Sequence, residues 1–576
     1  MPTVTIDNRS YEFEQGETLL QFCSDIGVEI PHFCYHPAMS VPANCRQCLV
    51  KIGTPARDRA TGELQTNEDG SPVINFMPKL QPSCAIAISD GMVVQTQRSD
   101  DVVEEGQVDN LELLLINHPL DCPICDQAGQ CPLQNQAYKF GPEGSRFEFQ
   151  KVHKPKRIQL GPNVVLDAER CINCTRCTRF TSEISESYQL SIHNRGDKNY
   201  PITAPGIEFD DPYSMNVCDV CPVGALTEDY FRFRARVWEM SKTPGISTFG
   251  SKGINVDYWV KDNEVLRITP RQNLDVNEYW MPDAARLIYS TFNENRPDGP
   301  RLLYRDGGFG AADWRQAYDA AAYLLKQYDG SEMCFLGSAF ATVEDNYLLQ
   351  KLAEHLGAPT PQYIPHVEPG TGDGWLVSDD RAPNAQGCER LGMPQIDASL
   401  LRSRLATGEV KLLYVLQDDP VGAGLLDEDD LDGVQVILHH HHTTNETLPM
   451  ANVALPAAMA VETIGTFVNE DGRAQRLRPA KAIRSANRAL MMETGMSRLD
   501  RQGTPFDRWH DESNKVNCQP GWTALPEIAE RLGRKMRYTG PASVMDELAQ
   551  TDAFAGATHK AMGFTGVPLE DVGEAV

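Results

Sequence analysis

His118, Cys122, Cys125 and Cys131 fall within fourteen residues, HPLDCPICDQAGQC, at the spacing H-x3-C-x2-C-x5-C. Imidazole and thiolate groups at such intervals can belong to a disulfide framework, hold a tetrahedral zinc ion or seat iron and sulfur. Two further sets flank this one. Upstream, CYHPAMSVPANCRQC supplies Cys34, Cys45 and Cys48, with Cys84 far along the chain, C-x10-C-x2-C-x35-C. Three thiolates on one loop and a distant fourth suit a plant-type [2Fe–2S] site, here with a longer first gap. Downstream, CINCTRCTRF supplies Cys171, Cys174 and Cys177 at C-x2-C-x2-C. The bacterial ferredoxin run continues x3-C-P, but Thr181 stands there, so a fourth ligand has to come from CDVCPVGAL. The proline after Cys221 favours it over Cys218, which completes a [4Fe–4S] set. Zinc sites usually pair two short knuckles. The crowded middle set, lying between two cluster motifs, is better read as a [4Fe–4S] cube with His118 on one iron. A neutral imidazole removes one negative charge relative to thiolate and should raise that site's potential.

The rest of the chain has to position these groups. Thirteen of the sixteen cysteines lie between Cys23 and Cys221, and only Cys334, Cys388 and Cys518 follow. Dense cysteine in a reduced compartment reads as metal binding rather than disulfides. The net charge of −27, from 53 basic and 80 acidic residues, argues against nucleic acid as a partner. No apolar run is long enough to span a bilayer, and the N-terminus has neither a signal-peptide nor a transit-peptide pattern, so a prokaryotic cytoplasmic chain is expected. Alternating runs around Asp7-Asn8-Arg9 predict a hairpin, and Leu19, Leu20, Cys23 and Ile26 a helix that buries Cys23 as a structural thiol. Residues 54–72 read as a surface insertion, VDNLELLLIN as a helix running up to His118-Pro119, and KVHKPKR at 151–157 as a solvated connector. Beyond about residue 240, apolar runs such as MCFLGSAF, VKLLYVLQ and VQVILHH alternate with helical stretches such as WRQAYDAAAYLLKQY. That alternation predicts βαβ units and a largely parallel sheet. The HHHH run at 439–442 is expected at a strand end or loop of this scaffold, and LLDEDDLDG at 425–433 as a solvated acidic loop.

The order CYHP…CRQC, HPLDCPICDQAGQC, CINCTRCTRF, CPVGAL, RARVWEM resembles the large peripheral-arm subunit (75-kDa or G) of respiratory complex I, the NADH:quinone oxidoreductase. The resemblance implies a [2Fe–2S] cluster on Cys34, Cys45, Cys48 and Cys84. It implies one [4Fe–4S] cluster on His118, Cys122, Cys125 and Cys131, and another on Cys171, Cys174, Cys177 and Cys221. The implied fold is a multidomain mixture of α+β and α/β. A β-grasp [2Fe–2S] ferredoxin domain (1–95) leads, followed by a His/Cys [4Fe–4S] domain (96–150) and a ferredoxin-like [4Fe–4S] domain (151–238). A molybdopterin-oxidoreductase-like scaffold without molybdenum (239–540) and a partly mobile tail (541–576) complete it. The scaffold's resemblance rests on NETLPMANVALPAAMAVETIGTFVNEDGRAQ and DVNEYWMPDAAR.

Some relatives carry a further C-x2-C-x3-C cluster motif at the start of the scaffold. Here Ser247, Gly250 and Ile254 stand at those positions, so no fourth cluster is expected, nor a molybdenum ligand. No G-x-G-x-x-G or P-loop is present, which argues against a dinucleotide or P-loop site on this chain; the resemblance places FMN on a partner subunit and implies no catalytic residues here. The resemblance implies an electron-transfer subunit, peripheral on the cytoplasmic face of the bacterial inner membrane. Its expected partners are the FMN/NADH-binding subunit, the [2Fe–2S] subunit and the quinone-site subunits, with the membrane arm reached indirectly. The alternative is the iron–sulfur subunit of an NAD-linked hydrogenase or formate dehydrogenase.

Overall fold

The computed structural model describes residues 1–570 apart from 15, 59–60, 143, 305–306, 485–486 and 494–513. The chain forms two compact units, Met1–Glu239 and Met240–Val576.

In the first unit, β1 (Thr3–Ile6) and β2 (Arg9–Glu12) form a hairpin whose turn residues, Asp7 and Asn8, are both left-handed at φ 47° and 67°. This is the two-residue turn that matches strand twist, and Asp and Asn tolerate it. Helix α1 (Leu19–Asp25), capped by the Thr18 hydroxyl, buries Leu19, Leu20, Phe22 and Cys23. β3 (Leu49–Pro55), β4 (Ile74–Phe76), β5 (Gln81–Pro82) and β6 (Met92–Gln95) complete a mixed sheet of order β2-β1-β6-β3-β4, with β5 also on β3. Val4, Ile6, Val50, Ile52 and Val94 pack with α1 beneath it. Residues of the 54–72 stretch are largely exposed, as expected of an insertion.

Helix α2 (Asp101–Leu115) starts well before the predicted VDNLELLLIN. The Asp100 carboxylate accepts from the N–H groups of Val102 and Val103 and so caps an additional N-terminal segment. α3 (Pro132–Phe140) follows the middle cysteine set. The 151–157 segment is more than a solvated connector. Lys151 donates to the carbonyls of Leu115 and Ile116 at the end of α2, and Lys156 pairs with Asp121 and Glu169. The third set lies among β7 (Ile158–Gln159), β8 (Val164–Leu166), the short α4 (Arg176–Arg179), β9 (Ser191–His193), β10 (Tyr200–Ile202), α5 (Asn216–Val220) and β11 (Leu226–Glu228).

The second unit opens with an antiparallel sheet of β12 (Ser241–Ile246), β13 (Asn255–Lys261) and β14 (Glu264–Pro270). Its main sheet contains β15 (Arg301–Leu303), β16 (Phe309–Ala311), β17 (Met333–Gly337), β18 (Gln362–Tyr363), β19 (Leu412–Leu416), β20 (Gln435–His440) and β21 (Val453–Pro456). The order is β16-β15-β21-β20-β19-β17-β18, and the last five are mutually parallel. The parallel strands are buried along most of their length, as a sheet covered on both faces requires. Their order is that of doubly wound sheets with a switch point between β17 and β19. His439 and His440 end β20, the strand end expected of HHHH. The stretch expected as a tail is built into this unit instead. Pro541–Leu548 is a helix that buries Val544, Met545 and Leu548, and Val567–Pro568 pairs with Arg473–Leu477. Its small residues allow close packing, and apolar residues at helical spacing bury one face.

Candidate iron–sulfur sites

The first set gathers because the sheet brings Cys84 to its partners. Leu49 pairs with Pro82 across β3 and β5, and both the N–H and the hydroxyl of Ser83 donate to the Cys48 carbonyl at 2.9 Å. Ala43 and Arg46 adopt left-handed backbone at φ 48° and 56° as the loop folds back. Cys34, Cys48 and Cys84 are buried and Cys45 is partly so. The thiols act on one another in two pairs, Cys34 with Cys45 and Cys48 with Cys84. Within the pairs, the partner thiol pulls Cys45 and Cys48 down, while Cys34 and Cys84 are pushed up. Two pairs of thiols, one pair per iron, suit a [2Fe–2S] group, and iron would replace the retained protons. Cys23 lies apart in the core, where burial and then Asp7 push its thiol up to about 12.

His118 follows α2, and Cys131 stands at the N-cap of α3. Cys125 is buried, whereas Cys122 is exposed on the turn Cys122–Ile124. Burial, then Lys151 and Arg170, lower His118 to about 4, so its ring is neutral near pH 7 and keeps a free lone pair. Its buried Nδ1 has no hydrogen-bond partner among the described residues. Arg170 is held in turn by Asp121 and Asp167, both at 3.2 Å. The N–H groups of Leu133 and Gln134 at the start of α3 point to the Cys131 sulfur, although desolvation still raises this thiol to about 11. Gly224 supplies a steric test of the site. A Cβ there would stand 2.2 Å from Cys125 Sγ, so only glycine lets the loop after Cys221 approach this thiol.

Cys171, Cys174, Cys177 and Cys221 line one small cavity with Ile192, Pro201 and Leu226. Cys218 is on α5 and is not part of that lining. Asn173 and Thr175 are left-handed, at φ 53° and 63°, and the Asn173 N–H donates to Cys171 Sγ at 3.4 Å. N–H groups of Val223, Ala225 and Leu226 converge on Cys221. Desolvation first, and then the neighbouring thiols, push Cys171 to about 12 and Cys174 to about 11. Three buried thiols and a partly buried fourth, Cys171, around an apolar cavity, with N–H groups aimed at Cys171 and Cys221, fit a cluster whose iron displaces the protons.

A single tetrahedral zinc would hold its sulfurs about 3.8 Å apart, given Zn–S bonds of about 2.3 Å. Among the described residues no three of His, Cys, Asp or Glu converge closely enough to hold one metal ion.

The third set lies between the other two. On one side Asn44 donates to the Asn173 carbonyl at 3.4 Å, and Arg179 donates to the carbonyls of Cys34 and Ser40. On the other side Cys131 Sγ donates to the Pro222 carbonyl at 3.7 Å. Ligand spacing alone assigns no role to the arginines of CINCTRCTRF. The signal that could have found them is the placing of charged residues inside the ligand gaps. Gly224 and the Lys156–Asp121–Arg170 network give no comparable signal.

In the second unit, Ser247 donates its N–H to Ile254 at 2.8 Å, and residues 240–290 contain no cysteine. After β17, helix α6 (Val343–His355) is capped by Thr342 and carries buried Glu344 and Asp345 in its first turn. Glu344 accepts from Thr466 N–H at 2.8 Å and pairs with His559 at 2.7 Å, and Asp345 accepts from Trp522 N–H at 2.6 Å. A helix N-terminus at a switch point is a natural phosphate seat. Here Glu344 and Asp345 of its first turn are held by partners from other segments of the unit.

Sequence models of known families match these regions in order. A 2Fe-2S iron-sulfur cluster binding domain matches residues 1–99, and the NADH-ubiquinone oxidoreductase-G iron-sulfur binding region matches 107–146. The ferredoxin-like domain of NADH-quinone oxidoreductase subunit 3 matches 161–227, and an NDSU1/NuoG-like 4Fe-4S domain matches 240–290. Molybdopterin oxidoreductase matches 383–489. The chain is thus an iron–sulfur protein of ferredoxin-like domains joined to a molybdopterin-oxidoreductase-type domain.

Similar proteins narrow this class. NADH-quinone oxidoreductase subunit 3 of Thermus thermophilus is 37% identical over 374 residues, 62% of this chain and 47% of that one. The NADH-ubiquinone oxidoreductase 75 kDa subunit of Reclinomonas americana is 35% identical over 62% of this chain and 48% of its own length. The mitochondrial 78 kDa NADH-ubiquinone oxidoreductase subunit of Neurospora crassa is 36% identical over 62% and 45%. Over about 62% of its length the chain is similar to the large iron–sulfur (G or 75-kDa) subunits of NADH-quinone oxidoreductases. It spans about half the length of these relatives.

Proposed function

We propose that this chain is an electron-transfer subunit of the peripheral arm of an NADH:quinone oxidoreductase. It would carry electrons from an FMN- and NADH-binding partner towards quinone-site subunits. The arrangement that carries this reading is the placing of three cysteine-rich sets in one unit, with the third between the first two. Cys34, Cys45, Cys48 and Cys84 hold a [2Fe–2S] cluster. His118, Cys122, Cys125 and Cys131 hold one [4Fe–4S] cluster, and Cys171, Cys174, Cys177 and Cys221 another.

Bound clusters supply one-electron carriage. The protein's own residues hold them, exclude water and set the local charge. We assign the second unit as a scaffold: 240–290 has no cysteine to supply a thiolate for a fourth cluster. No helix among the described residues is long and apolar enough to cross a membrane. We place the chain peripherally, on the cytoplasmic face of a bacterial inner membrane.

Anaerobically purified protein is expected to be brown, with about ten iron atoms per chain, from one two-iron and two four-iron clusters. Reduced samples should give three EPR signals. Colourless protein loaded with zinc would sink the reading.

A further inference from the structure

Arg176 stands in the gap between Cys174 and Cys177, and its guanidinium reaches both neighbouring ligand loops. Nη2 donates to the carbonyl of Tyr35, the residue after Cys34. Nη1 donates to the carbonyl of Val220, the residue before Cys221, at 3.2 Å. Its Nε is buried and has no hydrogen-bond partner among the described residues, and the groups that act most strongly on its charge are Cys174, Cys221, Arg179 and Cys34 rather than a carboxylate. A guanidinium stays charged at every accessible pH. Burying one against carbonyl dipoles alone is costly, and an anion nearby would offset that cost. Clusters ligated by four thiolates carry net negative charge, and one more on reduction.

We propose that Arg176 is a positioning residue shared by two sites. It fixes the Cys34 loop against the Cys221 loop, and its charge raises the potentials of both the [2Fe–2S] cluster and the Cys171-set [4Fe–4S] cluster. This rests on the cluster assignment above. A fixed cation favours the more negative, reduced state, so its removal should make both clusters harder to reduce.

EPR-monitored redox titration of the full chain tests this with R176M and R176K. R176M is expected to lower both midpoints together, each by about tenfold in the reduction equilibrium, which is about 59 mV for one electron. The His118-site midpoint should move less. R176K keeps the charge and should hold both midpoints near those of the parent protein. Unchanged midpoints in R176M, movement of only one, or an equal shift in R176K overturns the proposal. Should R176M lose its iron, R176K decides. Three signals with both midpoints retained support the shared charge, and displaced midpoints or loss of the two shared signals refute it. Missing signals in the parent protein would instead fail the cluster assignment, so the two failures are distinct.

Discussion

His118 is kept neutral by burial and by the cations Lys151 and Arg170, and it presents an imidazole where the other two sets present a thiolate. Replacing it with cysteine adds one negative charge to that site. H118C is therefore expected to retain the cluster and lower its midpoint in an EPR redox titration, with the other two signals in place. An unchanged or higher midpoint would remove His118 from the ligand set. Asp345 shows the opposite sign of control. Burial, and then Glu344, raise its carboxyl to about 7. The folded state therefore binds more protons than the unfolded state between about pH 4 and 7, so this group's contribution to stability falls as pH rises through that window, at most by roughly 1.4 kcal/mol per pH unit. Asn at this position has no charge to lose. The thermal stability of D345N relative to the parent should increase from pH 5.5 to pH 8, and a pH-independent difference would refute the shifted carboxyl.

At the scale of elements, the loop after Cys221 serves two sites. Ala225 and Leu226 give N–H groups to Cys221, and Gly224 gives up a side chain so that Cys125 can approach. G224A would place its Cβ 2.2 Å from Cys125 Sγ and 3.0 Å from the Gln127 side chain. Because backbone and ligand must separate, the expected outcome is loss of the His118-site signal, with about four iron atoms lost per chain. Retention of all three signals would show that the loop yields without displacing the ligand. The spacing C-x2-C-x2-C together with a later C-P is enough to pick out the four thiols that line one cavity, because such intervals let a loop wrap a common centre. Gly224 is not legible, since its role depends on a loop 99 residues upstream in the chain (Cys125). The 151–157 lysines look like a solvated run for the same reason: their acceptors, Leu115, Ile116 and Asp121, lie far back in sequence. The early start of α2 rests on Asp100, a capping residue that stands outside the apolar periodicity.

At the scale of the molecule, apolar runs alternating with helices make the parallel sheet of the second unit readable, because period and run length report burial on both faces. The partnering of Glu344 and Asp345 at the start of α6 is not readable. It depends on Thr466, Trp522 and His559, which reach Glu344 and Asp345 from remote segments. The folded state of residues 541–570 is hidden likewise, since small residues look like a tail until a partner surface exists. The division at Glu239 and Met240 leaves every candidate ligand in the first unit. That unit has its own core around Val4, Leu20, Val50 and Val94, and the second has separate cores around Leu349, Tyr414 and Leu525 and around Leu336, Leu413 and Val436. Ligands carried within one compact unit need no help from the scaffold to assemble. Residues 1–239 produced alone are therefore expected to carry the full iron complement of about ten atoms and all three EPR signals, while residues 240–576 carry none. Iron bound by the second fragment would overturn the scaffold assignment. A first fragment that folds, judged by circular dichroism, but takes up fewer than three clusters would mean that at least one ligand set depends on the scaffold for its shape.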